Sequence, residues 1–379
     1  MPTKKSHLTR KKGRKGIPDA EQEGALPPHE WKKLQDLQYC TVVDGRRKHK
    51  FRKGETVLVL GFGMNPDEIH ELHTYWVGKI KAIKGKSHES EAWVNVQWYY
   101  SGEDIAEQTT NIDVSGYGRF ERSLSQAHDW VHFQTLDVVT VIRYNEDSIS
   151  PEAIQPTDFY CRRSFDPRKN TVDPPIASTS TCICGQPYNP DKAYPLHFCP
   201  RPKCRKWYHR LCLIKEASID DVPREGSRRK HDTTAHHRYK LLCSSPDHQQ
   251  TLDLKNLTSG PRGPTQKKVQ FNINLATLEN VPTSLKKIAQ QQIMKGGATY
   301  GVVGNVKDVV DARRFVYRLL QVETTEEWDE VLGDMEEWLE QHDVSHLLSN
   351  GDSRSSADGD DNHEAGCLAL ICPICRGAI

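Results

Sequence analysis

Three cysteine-rich blocks follow one another between residues 182 and 212. They read Cys182-Ile-Cys184-Gly-Gln-Pro-Tyr188-Asn-Pro-Asp191, Cys199-Pro-Arg-Pro-Lys-Cys204 and Trp207-Tyr-His209-Arg-Leu-Cys212. The blocks contribute six sulfur or imidazole ligands in three close pairs. Zinc binds four such ligands in a tetrahedron, and short turns present two of them at a time. This paired spacing with an interleaved histidine favours metal binding over disulfides or buried free thiols, but six ligands complete only one and a half sites.

Two segments are candidates for the missing ligand pair. Cys243 and His248 follow the blocks at an ordinary distance, whereas Cys372 and Cys375 lie across a long insert. The Cys-Pro-Ile-Cys spacing points both thiolates at one metal, and apolar residues precede it. A long loop adds only about 0.6 kcal/mol of closure entropy per doubling of its length, whereas a structural zinc contributes on the order of 10 kcal/mol. We therefore predict closure by Cys372 and Cys375, with Cys243 and His248 as the alternative.

The composition predicts a two-domain chain with much of its length outside any core. The chain has 379 residues, of which 36% are hydrophobic, and its mean hydropathy is −0.71. The 52 basic and 51 acidic residues nearly cancel, so net charge identifies no partner. Because the sequence lacks a long apolar run and an apolar signal core, we expect no membrane contact. The eleven cysteines then belong to a reducing compartment, which favours metal binding.

Two basic segments are candidate nucleic-acid contacts. Residues 1–30 form a polar tail with seven lysines and arginines before its first acidic residue. Such a tail is typical of a nuclear-import signal, a nucleic-acid contact or a disordered solvated segment. Residues 224–240 form a second basic stretch, which suits either weak phosphate contact or a plain solvated loop.

Short β-branched and aromatic segments, separated by turn residues, fill residues 31–166. The Asp44-Gly45 pair is typical of a hairpin turn. These segments predict a small twisted β-barrel with loop insertions. The predicted strands cover residues 39–44, 56–60, 76–80, 93–100, 138–142 and 159–161.

A long insert, residues 213–371, turns helical in its second half. Apolar residues recur at helical spacing in three stretches, 285–293, 306–319 and 328–339. Thr324 and Glu327 form a capping-box pattern before the third stretch. The insert therefore predicts a small packed helical bundle rather than a cofactor pocket, followed by an acidic flexible segment.

The order of ligands resembles that of a plant homeodomain (PHD) finger. A RING finger usually has histidine as its fourth ligand, whereas His209 is the fifth here, with Trp207 two residues before it. The upstream region is similar to a bromo-adjacent homology (BAH) domain over roughly residues 45–170. That similarity rests on four pieces in order: Trp76-Val-Gly-Lys-Ile, Val-Gln97-Trp98-Tyr99-Tyr100, Glu121-Arg-Ser-Leu124-Ser125 and Asp158-Phe-Tyr160-Cys161-Arg162. One departure from the family pattern is that His128 is displaced by one residue.

Together the two parts resemble the BAH–PHD chromatin readers, which include the plant Short Life and Early Bolting in Short Days proteins and the fungal effector of Polycomb repression. The resemblance implies a multidomain α+β chain with two structural zinc ions held by interleaved ligand pairs. The first ion takes Cys182, Cys184, His209 and Cys212. The second takes Cys199, Cys204 and the closing pair, Cys372 with Cys375. The implied domains are a tail (1–30), a BAH domain (31–170), a linker (171–181), the first part of the finger (182–212), the insert (213–371) and the closing pair (372–379).

The resemblance also implies a methyl-lysine site at Trp76, Trp98 and Tyr100. Aromatic faces attract a trimethylammonium group by cation–π interaction, worth roughly 0.5–2 kcal/mol per contact. Strand alternation independently puts Trp98 and Tyr100 on the side of Val94 and Val96, near the strand end, where they can face an open mouth. Glu103 and Asp104 follow closely and can add charge attraction. The alternative is that these aromatics simply fill the core.

The finger itself lacks several features that methyl-lysine-reading fingers use. Trp207 is present, but Leu196 replaces a methionine and Thr181 stands where an aromatic residue belongs. The loop containing Arg201 and Lys203 replaces acidic residues and would repel a basic tail. We therefore expect that the finger does not strongly bind the activating methyl mark.

The sequence thus indicates a non-catalytic nuclear protein that reads methylated lysine on the histone H3 tail of the nucleosome, most simply the repressive Polycomb-type mark, and silences genes. Weak DNA contact through the basic segments fits this role, whereas a small-molecule substrate does not. One alternative is a RING-like ubiquitin ligase, which the terminal Cys372-Pro-Ile-Cys375 pair favours and the histidine position opposes. Another is a BAH-type interaction scaffold with no preference for methyl-lysine.

Overall fold

The computed structural model describes residues 28–44, 47–60, 68, 70–86, 91–175, 182–192, 194–216, 280–342, 370–375 and 379. The basic tail, the basic loop and the alternative ligands Cys243 and His248 lie outside the described residues. The described part forms two compact units. The first comprises residues 28–146, 152–175 and 185–191, and the second comprises 147–151, 182–184 and the residues from 192 onward. The division runs through the first cysteine block.

The first unit is built on one large sheet and two further strand pairs. Its strands are β1 (Gln35–Asp36), β2 (Tyr39–Asp44), β3 (Arg47–Arg52), β4 (Thr56–Val59), β5 (Trp76–Gly85), β6 (Ala92–Tyr100), β7 (Ser123–His132), β8 (Leu136–Val138), β9 (Val141–Arg143), β10 (Phe159–Cys161), β11 (Ser164–Asp166) and β12 (Thr171–Asp173). Eight of them form the sheet: seven follow the order β12-β11-β7-β6-β5-β4-β8, and β1 is the eighth and pairs with β5. Strands β2 and β3 form a hairpin, and β9 and β10 form a parallel pair. Among the described strands the pairing follows an open path and does not close into the predicted barrel.

The six predicted strand segments of this unit are present at least in part, and strands β1, β3, β7, β11 and β12 were not among them. The segment expected as one strand over 138–142 is divided, because β8 ends at Val138 and β9 begins at Val141. Strand β7 was not predicted, since its sequence alternates weakly and carries several polar residues. It nevertheless pairs along nearly the whole of β6, with a register shift between Gln97 and Tyr99.

Strand β6 lies at the centre of the sheet and is covered on both faces. Its even-numbered side chains, Val94 to Tyr100, enter the main hydrophobic core as the alternation predicted. On the other face, the Trp93 ring meets Trp31 edge-on at 6.2 Å, and the Gln97 amide donates a 2.6 Å hydrogen bond to the carbonyl of Ser125. The first helix of the described chain is α1 (Pro28–Trp31). After β6, Ser101 and Asp104 form a capping box that starts the next one, α2 (Gly102–Gln108).

In the part of the chain that the structure describes, the second unit combines a three-stranded sheet with five helices. Strand β13 (Leu196–Cys199) lies between β14 (Lys206–His209) and β15 (Met294–Lys295). The Thr324–Glu327 capping box forms as the sequence indicated. Among the described residues, no helix combines the length and apolar character needed to cross a membrane. The helices are α3 (Arg210–Glu216), α4 (Thr283–Ala289), α5 (Gly297–Tyr300), α6 (Val306–Gln321) and α7 (Thr325–Gln341).

Candidate metal centres and aromatic site

The first ligand cluster consists of Cys182, Cys184, His209 and Cys212, whose ligand atoms all lie within 4.8 Å of one another. His209 ends β14 and Cys212 lies in the first turn of α3, so the strand–helix junction presents both to one point. The Sγ atom of Cys184 lies 3.3 Å from Nδ1 of His209, and the His209 backbone N–H donates to Sγ of Cys182 at 3.4 Å.

The second cluster consists of Cys199, Cys204, Cys372 and Cys375, again with all ligand atoms within 4.8 Å. The Sγ atoms of Cys199 and Cys375 are 3.4 Å apart, and those of Cys204 and Cys372 are 3.5 Å apart. The structure therefore brings the distant Cys-Pro-Ile-Cys pair to the position that the sequence favoured. Leu370, just before it, packs against the same cluster.

Both clusters have donor sets that could hold a metal ion. Three thiols with one imidazole, and four thiols, are the sets that tetrahedral zinc prefers, and a Zn–S bond of about 2.3 Å implies sulfurs about 3.8 Å apart. The sulfur pairs of the second cluster, at 3.4 and 3.5 Å, are near that separation and far beyond the length of a disulfide. Hydrogen bonds among these cysteines lower the pKa of the Cys372 thiol to about 6 and raise the pKa of Cys199, so the four thiols do not all favour the thiolate form by themselves.

Arg201 lies against the second cluster. Its buried guanidinium donates to Sγ of Cys375 at 3.3 Å and to Sγ of Cys199 at 3.6 Å. Burial lowers its pKa, but the charges of Cys375 and Cys199 outweigh this and raise the pKa overall. The expectation that Arg201 repels a basic tail is therefore corrected, because its charge is directed inward at sulfur. Of the two cations in this loop, Lys203 is the exposed one.

Trp76 and Trp98 form an edge-to-face pair in the first unit. Their ring centroids are 5.8 Å apart and the rings meet at 74°. They lie on the paired strands β5 and β6, with Gly78 opposite Trp98. Tyr100 packs instead against Phe165, with centroids 5.1 Å apart. The two tryptophans therefore give two nearly perpendicular aromatic walls, and Tyr100 lies on the same side of β6.

All three rings belong to the hydrophobic core, with only 8%, 3% and 2% of the surface of Trp76, Trp98 and Tyr100 exposed. The expected open mouth is therefore not formed by these rings in this conformation. The Asp104 carboxylate accepts hydrogen bonds from the backbone and hydroxyl of Ser101 in the capping box, and burial together with the charge of Asp104 raises the pKa of Tyr100. Glu103 remains exposed in the first turn of α2.

A buried ionic network joins the sequence pieces 121–125 and 158–162. The sequence did not reveal this network. The fully buried Glu121 carboxylate accepts from Nε of Arg162 at 2.9 Å and from Nη1 of Arg163 at 2.6 Å. Arg162 also pairs with Glu146, so two arginines face two glutamates. The pieces themselves meet through a 2.8 Å hydrogen bond from the Arg122 N–H to the Tyr160 carbonyl. The only sequence signal was that both pieces contain charged residues of both signs.

Residues 185–191 complete this network within the first unit. The Tyr188 carbonyl accepts from the Arg162 guanidinium at 3.3 Å, and the guanidinium lies 5.4 Å from the Tyr188 ring. The Asn189 amide donates to the carbonyls of Ser115 and Tyr117 at 2.8 and 3.0 Å. The Tyr188-Asn-Pro-Asp191 sequence thus packs into the first unit, whereas we had assigned it to the finger.

Comparison with known proteins gives distant structural similarity to part of the chain. No family model matches the sequence, and no curated protein matches it. Among solved structures, the crystal structure of the yeast Rsc2 BAH domain is similar to part of the chain, with 16% sequence identity and a TM-score of 0.23. The similarity covers 33% of this chain and 49% of that structure, so the chain spans about half the length of the protein that it matches.

Proposed function

We propose that this chain is a non-catalytic, nuclear chromatin-binding protein whose first unit binds a methylated lysine of the histone H3 tail. The repressive Polycomb-type mark is the ligand that the BAH-like sequence pieces favour. In the second unit, the residues 182–184, 194–216 and 370–375, here called the finger, hold two structural zinc ions. Bound zinc would hold distant segments of the finger together and take part in no reaction.

The observation that carries this proposal is the Trp76–Trp98 pair. A trimethylammonium group stays cationic and cannot donate a hydrogen bond, so it is recognised by aromatic faces, not by acceptors. The two rings meet at 74° with their centroids 5.8 Å apart and pack against each other, so they could serve as two adjacent walls of such a site only after they separate. Because Trp76 is the most exposed of the three aromatics, at 8%, entry of a lysine requires the Trp76 ring to turn outward.

The test compares Trp76→Leu with Trp93→Leu in the full chain. Both tryptophans are 8% exposed and lie on neighbouring strands, but Trp93 packs against Trp31 on the opposite face of β6. Trp76→Leu should weaken binding of a trimethyl-lysine H3 peptide about tenfold, since loss of one wall removes about 1–2 kcal/mol. Trp93→Leu should leave the affinity unchanged. Calorimetry with unmodified and Polycomb-type methylated peptides measures both effects.

Trp98→Ala is a weaker test of the same site. The Trp98 side chain is 3% exposed, so its removal opens a core cavity and costs about 3–5 kcal/mol of folding free energy. We therefore expect Trp98→Ala to be markedly destabilised, so that a loss of peptide affinity in this variant does not by itself identify the site. Equal losses of peptide affinity in Trp76→Leu and Trp93→Leu would argue against the aromatic site.

The burial of the aromatics favours a second candidate, a BAH-like interaction scaffold without preference for methyl-lysine. In that case the rings serve only as core, and methylated and unmodified peptides bind equally or not at all. The same peptide series distinguishes the two candidates. A RING-like ligase activity is tested separately by autoubiquitination, and we expect none because His209 is the fifth ligand in sequence order.

A further inference from the structure

The sheet of the finger receives its third strand from the insert. Strand β15 pairs antiparallel with β13, so that Lys295 lies opposite Leu196 and Met294 lies opposite His197. The Phe198 N–H donates a 2.9 Å hydrogen bond to the carbonyl of Ile293, one residue further along the same segment. The edge of β13 that faces away from β14 is therefore covered by residues 293–295 of the same chain.

Lys295 places its ammonium over the ring of Trp207, with Nζ 4.2 Å from the ring centroid. Lys295 is fully buried and Trp207 nearly so. Lysine is almost never fully buried without a compensating partner, and the face of a tryptophan is the best aromatic partner for a cation. Trp207, the aromatic residue that is present in the finger, contacts Lys295, and Leu196, which replaces the methionine, lies opposite Lys295 on the neighbouring strand.

The insert is shaped to present this segment. Asn305 accepts from the Met294 N–H at 2.8 Å through Oδ1 and donates its own N–H to the Met294 carbonyl at 3.1 Å. Its amide also donates to the Gln292 carbonyl at 3.1 Å. Gly304 has φ +72°, and a Cβ there would lie 1.8 Å from the Met294 carbonyl oxygen, so only glycine fits.

Helix α4, which precedes the segment, and helix α6, which follows it after the short α5, are tied together. The fully buried Arg313 of α6 donates to the carbonyl of Ala289, the last residue of α4, at 2.9 Å and to that of Gln291 at 2.8 Å. This clamp fixes the loop between α4 and α6. Residues 293–295 therefore reach β13 as a preformed strand and not as a flexible segment.

We propose that Lys295 is an internal ligand of the finger. The edge of β13 and the ring of Trp207 form a binding site for an extended peptide with a lysine, and the chain fills that site with its own residues 293–295. Strand addition gives affinity through backbone hydrogen bonds and specificity through a side-chain pocket. Because one edge takes one strand, the finger binds another lysine-bearing peptide there only after the internal segment leaves. This site is distinct from the aromatic site at Trp76 and Trp98.

The internal segment has the advantage over any external peptide. A ligand tethered to its site acts at an effective concentration of about 1 mM or more, and a clamped loop loses less conformational freedom on docking than a free peptide does. If the free segment has micromolar intrinsic affinity for the site, its tethered copy weakens the binding of an external peptide by roughly two to three orders of magnitude. With the segment docked, we expect the intact finger to bind external peptides weakly even though Trp207 is in place.

The test uses the full chain and a peptide of residues 290–301 of the same sequence. Gly304→Ala should release the segment, because the new Cβ collides with the Met294 carbonyl. The Phe198 amide, which donates to Ile293, should then exchange with solvent at least about tenfold faster. Added peptide should restore its protection in Gly304→Ala and have no effect on the natural chain. A peptide with Lys295→Ala should not restore it.

Gly333→Ala is the matched control, because a Cβ at Gly333 in α7 meets no atom within 4 Å. Metal content confirms that each variant keeps its finger folded. If Gly304→Ala loses metal, Asn305→Ala serves in its place, since it removes two hydrogen bonds to the segment without adding an atom. The proposal is overturned if the natural chain binds the peptide as tightly as the released variant. It is also overturned if a released variant with an intact finger does not bind the peptide at all.

Discussion

The two units bury charge in opposite ways. In the first unit, Glu121 and Glu146 face Arg162 and Arg163, so each of these four charges meets a side chain of the opposite sign. In the second unit, seven cysteines and one histidine converge in two clusters, and the nearby cation is Arg201. Four thiolates around a divalent ion still carry a net charge of about −2, so one guanidinium does not replace the metal. The buried network of the first unit is therefore balanced by its own side chains, whereas the two clusters of the second unit could be balanced by metal ions.

Removal of one ligand from the second cluster should produce the largest effect. Cys372→Ser should lower the metal content of the full chain from two ions to one, as should a chain that ends at residue 365. The finger then loses a contribution on the order of 10 kcal/mol, and the first unit keeps its unfolding transition. Metal counting after dialysis against a weak chelator measures the stoichiometry.

Cys40→Ser provides the control for that experiment, because Cys40 is a buried cysteine of the first unit outside both clusters. It should leave two ions in place. Two ions in Cys372→Ser, with loss of one in Cys243→Ser, would instead assign closure to the alternative pair.

Glu121→Gln should have the next largest effect and should act on the first unit alone. The substitution leaves two buried arginines facing a neutral amide, and removal of one partner from a buried ion pair costs about 3–5 kcal/mol. The exposed pair of Arg318 and Asp334, at 2.8 Å, is the comparison, because Asp334→Asn should cost at most about 1 kcal/mol. Hydrogen exchange resolved by unit measures both changes. Equal effects of the two substitutions would show that burial does not govern the strength of these pairs.

Arg201→Gln should have a smaller effect, visible as weaker metal binding. The guanidinium donates to two cysteine sulfurs, and loss of such a supporting partner typically lowers metal affinity about tenfold to a hundredfold. Lys203→Gln, in the same loop but exposed, should leave the affinity unchanged. Competition with a coloured chelator measures the two constants. If both variants lose affinity equally, the effect comes from the general charge of the loop.

Features set by local spacing could be predicted from the sequence. Ligand pairs two to five residues apart have to point together, which indicated both clusters and the preference for Cys372 over Cys243. Alternation along β6 placed Val94 and Trp98 on the core side. The capping box at Thr324 needed only a four-residue pattern.

Features that depend on distant residues were missed for a common reason. Glu121 and Arg162 are 41 residues apart, and nothing local in either piece shows that they meet. Strand β15 is two residues long and followed by Gly296 and Gly297, so it lacks any strand period. The inward direction of Arg201 was also hidden, because a charge in a loop is ordinarily solvated. The weak binding of the activating mark by the finger stays a prediction, although charge repulsion by Arg201 no longer supports it.

The separation of the second cluster along the chain has a consequence during synthesis. Cys204 and Cys372 are 168 residues apart, so at about 5–20 residues per second the ribosome needs roughly 8–34 s to deliver the second half of that site. The first cluster has all of its ligands early and can take its ion while translation continues. Throughout the delay, the nascent chain carries two unpaired thiols that are open to oxidants and to competing metals. A ribosome stalled within the insert therefore releases a protein with a finished first unit and a half-assembled finger.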